Sequence, residues 1–194
     1  MKSKIPFLAL LVLLNLGMGI GHYNLRHEIL VPALFCAVEP AVEGNFRIYY
    51  NFGPGFNESD TTNVSLSRRV AHRPIRVKLP EKHIYSLRID PVDQPVNVDV
   101  IGLGFGLFDN FMLHPVESPH IVGTANLSAW KVEGNKLHLE VTPGSNDPYF
   151  VLADLDGLIS SAQQDVALVD RGYRIAWAVV NVVFAALFFL WRRK

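Results

Sequence analysis

The sequence predicts an all-β fold, an antiparallel, jelly-roll-like β-sandwich with an apolar helix at each end of the chain. Three observations carry that expectation. Apolar and polar residues alternate with period two in several pieces between residues 44 and 156, as in Ile75, Val77 and Leu79 against Arg76 and Lys78, the pattern of a strand with one buried face. No strand-like piece is followed by the long amphipathic helix that a βαβ unit requires. Uncharged runs stand at both ends, residues 5–20 after Lys2 and Lys4, and residues 175–191 before Arg192, Arg193 and Lys194.

Taken in order, residues 1–25 are long enough to cross a hydrocarbon core of about 30 Å as a helix rising ~1.5 Å per residue. Two readings stand for them: a retained transmembrane anchor, or a signal peptide, for which "NLGMGIGHY" supplies only a loose version of the small-residue cleavage pattern. Residues 26–43 read as a connecting segment. Cys36 lies there in "VPALFCAV", an apolar setting where a free thiol behaves as a small buried hydrophobe. As the chain's only cysteine it excludes an intrachain disulfide, and a formal net charge of zero leaves no basic footprint for nucleic acid.

Residues 44–156 hold the expected sandwich. "NFRIYYNF" ends at the glycines of "GPG"; "NVSLSRRV" suits an edge strand; "IRVKLP" is closed by Pro80; and "IYSLRID" turns at Pro91. "VNVDVIGLGFGLF" alternates through Val96, Val98 and Val100, and glycines at 102, 104 and 106 permit a bulge or a close backbone contact. "NKLHLEV" and "PYFVLADL" flank the turn-rich "TPGSND". The total is roughly six to eight strands. Residues 157–172 then read as a juxtamembrane helix or linker, and residues 173–194 as a C-terminal transmembrane helix with a basic cytoplasmic tail. Tyr173, Trp177 and Trp191 suit membrane interfaces and Arg174 can snorkel. Asn181, strongly polar inside the span, is a candidate for contact with a neighbouring helix. If the first segment is retained, both ends lie in the cytoplasm and the central domain lies outside it.

The chemistry on offer is sparse. Seven histidines form neither HExxH nor a compact Cys/His cluster; His114 and His120 flank "PVESP", where a loop role outweighs ligation. Calcium takes about six to eight oxygen ligands and no EF-hand spacing occurs. There is no GxSxG elbow and no phosphate-gripping loop. Asp90 and Glu117 form a conceivable glycosidase-like pair, but turn chemistry explains most of the acids. No enzymatic activity, cofactor or metal is expected.

Carbohydrate binding needs only rings to face a sugar and polar groups to meet its hydroxyls. Tyr49, Tyr50, Trp130 and Tyr149 are candidate rings, at most one of the adjacent tyrosines facing outward; Asp90, Asp93, Asn146 and Asp147 are candidate polar partners. Arg88 is weighed as an ion-pair partner of Asp90 or Asp93 that holds the loop, in preference to a ligand contact. "NES", "NVS" and "NLS" at Asn57, Asn63 and Asn126 are N-glycosylation sequons, meaningful in a lumenal domain.

"RVKLPEKHIYSLRIDPVDQPVNVDV", followed by "VTPGSNDPYFVL", resembles the extracytoplasmic β-sandwich modules found beside or within bacterial membrane glycosyltransferases and surface-polysaccharide proteins. The resemblance spans residues 45–155, rests on residues 87–91 and 145–148, and departs from the pattern at Ser145, where glycine is expected. It implies a carbohydrate-binding-like jelly roll in a surface-polysaccharide or glycolipid pathway at a bacterial inner membrane, with the central domain periplasmic. It does not imply glycosyl transfer, because the catalytic part of those proteins is missing. The expectation is therefore a membrane-tethered, non-catalytic accessory that binds or positions a glycan or glycolipid, with a polytopic membrane protein as partner. The alternative is an assembly subunit of a membrane complex without glycan binding.

Overall fold

The structure, a computed structural model, describes residues 5–40, 42–67, 74–108 and 112–192. Lys2, Lys4, His72, Arg193 and Lys194 lie outside the described residues, as do the side chains of Trp191 and Arg192. The chain forms two units, one of residues Met1–Val31 with Gln164–Lys194 and one of Pro32–Gln163.

The second unit is the antiparallel sandwich. Its described strands are β1 (Ala33–Glu39), β2 (Gly44–Asn51), β3 (Phe56–Leu66), β4 (Ile75–Lys78), β5 (Ser86–Asp90), β6 (Val98–Gly106), β7 (Leu113–Pro115), β8 (Ile121–Ala125), β9 (Leu127–Glu133), β10 (Lys136–Val141) and β11 (Tyr149–Ala153). One sheet has the order β4-β1-β6-β10-β9 with β7 beside β6; the other has the order β3-β2-β5-β11-β8. Phe46, Ile48 and Tyr50 of β2, Leu87 and Ile89 of β5, and Phe150 and Leu152 of β11 meet Leu34, Val100, Phe105 and Leu139 of the facing sheet in one core. Phe46, Phe105 and Phe150 are fully buried, each such side chain contributing about 1.5–3 kcal/mol.

The sandwich begins earlier than the sequence suggests. Residues 33–39, expected to connect, form a central strand paired with β4 on one side and β6 on the other. Leu34, Cys36 and Val38 enter the core, while Phe35 on the opposite face lies under the Arg76 guanidinium. Burial on both faces abolishes the alternation by which a strand is recognised. Burial also pushes the Cys36 thiol pKa up, so this cysteine is an inert packing residue.

The glycines of "GLGFG" do two different things. Gly102 sits at φ +63°, beside the irregularity where β1 and β6 lose register between Phe35 and Ala37. Gly104 and Gly106 pair with β7, and a Cβ at Gly106 would overlap the carbonyl oxygen of Met112.

The first unit contains helix α1 (Ile5–Asn24), followed by a π-helical turn at Leu25–Ile29, and most of helix α2 (Asp156–Arg192). The expected boundary at residue 172 is not a break, because α2 runs uninterrupted through it. Its first two turns belong to the sandwich unit, where Ala162 is fully buried and Leu158 and Ile159 pack on the core. Among the described residues, one helix, Asp156–Leu190, is long and apolar enough to cross a membrane.

Candidate functional site

The outward face of the five-stranded sheet gathers most of the predicted polar residues. Antiparallel partners share a face, so Arg47, Tyr49, Arg88, Asp90 and Tyr149 all lie opposite the core set of Ile48, Leu87, Ile89 and Phe150. Arg88 is the centre. Its Nε and Nη2 donate to the two carboxylate oxygens of Asp90 at 2.8 Å each, a bidentate pair, and Nη2 also donates to Asp147 at 2.5 Å. Its guanidinium carbon lies 4.0 Å from the Tyr149 ring centroid and 4.7 Å from that of Tyr49, positions in which the ring quadrupoles favour the cation. The arginine thus partners Asp90 and Asp147, and Asp93 is held by other groups.

Two loops are pinned to place these groups. At the end of β5, Asn45 donates to Asp93 at 2.9 Å and Gln94 donates to the Glu43 carbonyl at 2.8 Å. At the start of β11, Asn126, at φ +58°, donates its amide to the carbonyls of Asn146 and Asp147. Asp147 itself sits at φ +63°, a conformation open to Asp and Asn through local hydrogen bonding. Because the Asn126 amide nitrogen donates to two carbonyls of that loop, a glycan attached to it would cost one of the two hydrogen bonds; Asn57 and Asn63 are exposed on β3.

The electrostatics follow from two acids sharing one cation. Asp90 is 2% exposed, and burial pushes its pKa up to about 6 against the pull of Arg88, with the nearby Asp147 adding to the rise. Burial works against the charge of Arg88, yet its hydrogen bonds and charge contacts with Asp90 and Asp147 hold its pKa above the ordinary arginine value.

The predicted ligand residues therefore fall into three groups. Asp93, Asn146 and Asp147 do come together, lining with Arg47, Tyr49, Glu58 and Arg88 a depression of about 320 Å³. Asp90 and Tyr149 border it only through Arg88: the carboxylate is buried in its ion pair and the ring faces the guanidinium, so neither presents the free surface expected of it. Tyr50 and Trp130 do not belong to it. Parity with Phe46 and Ile48 turns Tyr50 into the core, where its hydroxyl reaches Thr62 at 3.2 Å. Trp130 is on β9 of the other sheet, opposite the inward-facing Leu139, and is 37% exposed at that sheet's edge. Glu58 had no distinguishing mark in the sequence. Tyr49 was already a candidate ring, and Arg47 shares its face because it falls between the inward Phe46 and Ile48, a mark that shows only once the core is known.

The remaining candidates have local roles. Glu117 and His120 cap one short 3-10 turn, Ser118–His120, between them. Among the described residues no group of three or more His, Cys, Asp or Glu is arranged to hold a metal ion. Asn181 faces α1 within the helical unit, accepting from Asn15 at 2.9 Å. Comparison of the chain with protein families, curated proteins and solved structures found no match.

Proposed function

We propose that this chain is a membrane-tethered, non-catalytic accessory protein that serves as an assembly subunit of a larger membrane complex, its sandwich outside the cytoplasm of a bacterial inner membrane. The observation that carries this reading is α2. A single helix with no intervening loop packs Leu158, Ile159 and Ala162 on the sandwich core and continues as an apolar segment through Leu190, about 1.5 Å per residue against a core of about 30 Å. The repeated passage of the chain from one sheet to the other supports a jelly-roll-like arrangement of the sandwich. Its most elaborate polar cluster is satisfied from within: Arg88 occupies both Asp90 and Asp147, which supports a structural role over acid chemistry.

One observation favours glycan or glycolipid positioning as a second reading. The depression lined by Asp93, Asn146 and Asp147 offers hydroxyl-binding groups, although Arg88 covers the neighbouring rings that a sugar would stack on.

The full chain purified in mild detergent separates the two. A stoichiometric polytopic membrane protein that stays bound through size exclusion, with no retention on a glycan array, is the expected result. A protein that runs alone and is held by a glycan, with the affinity lost in D93A and D147A, overturns it in favour of the second reading.

A further inference from the structure

The helical unit bears on what becomes of residues 5–24. Antiparallel contacts run the length of α1. Phe7 packs on Phe184 and Phe188, with ring centroids 5.9 and 5.1 Å apart. Asn15 donates to Asn181 at 2.9 Å and accepts from the Trp177 indole N–H at 2.8 Å. The Tyr173 hydroxyl donates to the Met18 carbonyl at 2.9 Å, and a ring nitrogen of His22 meets Asp170 at 2.6 Å. Tyr173 also stacks on the His22 ring, the planes 12° apart.

These positions have a period. Asn15, Met18 and His22 fall at i, i+3 and i+7; Asp170, Trp177 and Phe184 recur every seven residues, as do Asn181 and Phe188, with Tyr173 three residues after Asp170. Such spacing makes one narrow seam on each helix. Every polar group on α1's seam has its complement on α2's. Outside the seam, Leu10, Leu13, Leu16, Val179, Val182 and Leu187 are exposed.

A leader peptide removed after export needs apolarity and a cleavable end, and no matched partner. An asparagine in the middle of its apolar run would only weaken it, since polar groups in a bilayer are costly until they find partners. Conversely, a chain without α1 would leave the Trp177 indole N–H and the Tyr173 hydroxyl without the acceptors they have here, and Asp170 without His22. Asn181 would keep only its bond to the Trp177 carbonyl.

From this complementarity we infer that α1 is retained as a membrane span whose partner is α2 of the same chain, the two forming an antiparallel hairpin joined by the Asn15, Met18 and His22 seam. The inference rests on the membrane reading above but needs no second protein. It also assigns Asn181 to an intrachain contact, so a partner subunit must be recognised elsewhere.

The test uses the full chain in native membranes with Cys36→Ala and two paired cysteines, N15C/N181C, oxidised by copper phenanthroline and then exposed to polyethylene-glycol maleimide under denaturing conditions. The expected result is an intact mass for the uncleaved chain of 21.7 kDa, adjusted for the substitutions, and loss of both maleimide shifts. L13C/N181C, with Leu13 off the seam and 65% exposed, keeps both. F7C/F188C, which leaves the polar seam untouched, closes likewise and covers the case in which N15C perturbs the pair. A mature N-terminus beyond residue 24, or two shifts in both seam pairs, overturns the inference. An uncleaved, cross-linked chain recovered from the soluble fraction sinks the membrane reading and, with it, the inferred span. Failure to find a partner subunit touches only the proposed function.

Discussion

Arg88 shows how one residue decides what a cluster of acids can do. Two carboxylates share its charge, and the more deeply buried of them, Asp90, has a pKa raised to about 6. The sign of the consequence is fixed by linkage. The folded state holds the Asp90 proton more tightly than the unfolded chain, where an aspartate titrates near about 3.9, so this contribution to stability is complete below about pH 4 and is lost as the pH rises through about 6. Asp99 works in the opposite sense: the Lys136 hydrogen bond, with help from His138, lowers its pKa, so its contribution is lost only as the pH falls below the ordinary carboxylate range. Denaturant titrations of the detergent-solubilised chain from pH 4 to pH 7 are therefore expected to show Asp90→Asn flattening a downward slope, by up to about 3 kcal/mol over the window. Asp147→Asn, at a side chain 50% exposed, leaves most of the slope in place. An identical slope in wild type and Asp90→Asn contradicts the account.

At the scale of elements, what the sequence reveals depends on how each strand is buried. β5 and β10 were legible because one face is core and the other is not, as in Leu137 and Leu139 against His138 and Glu140. β1 was illegible because "ALFCAV" is covered on both faces. β8 and β9, edge strands whose small and polar residues are largely exposed, carried too little apolar contrast to be seen. The same limit governs the site. Alternation places Arg88 on the face away from the core, but that β11 would lie beside β5 and bring Asp147 to it is a matter of pairing across 59 positions. Adjacent tyrosines at 49 and 50 suit a strand in either orientation; Phe46 and Ile48 decide it only once the core is known. Glycines permit a sharper test. Gly106→Ala forces a methyl group against the Met112 carbonyl oxygen, so a loss of about 1–3 kcal/mol is expected as β7 is displaced. Gly157→Ala, in the first turn of α2 with nothing within 4 Å of the added carbon, gains up to about 1 kcal/mol from helix propensity. Equal effects in thermal unfolding of the two variants would contradict the close β6 and β7 contact.

At the scale of the molecule, α2 makes the sandwich's boundary a matter of packing. A boundary drawn at residue 156 from texture alone cuts the chain where the strands stop, yet the core does not stop there. Leu155 and Ala162 are fully buried, and Leu158 and Ile159 lie against the same cluster as Leu87 and Phe150. Removing those turns exposes an apolar patch and deletes contacts of the kind that cost about 2–5 kcal/mol for a single large side chain, a substantial part of the 5–15 kcal/mol, or roughly that, by which a domain is stable. A secreted fragment of residues 32–165 is expected to give sharp near-ultraviolet dichroism and a cooperative melt, while one of residues 32–154 gives protease-sensitive, aggregating material. Ala162→Asp in the longer fragment puts an unpaired charge into the core and reproduces the behaviour of the shorter one. If the two fragments were to resist proteolysis equally, the helix would be an appendage, and the link that ties the sandwich to its apolar segment would have no energetic basis.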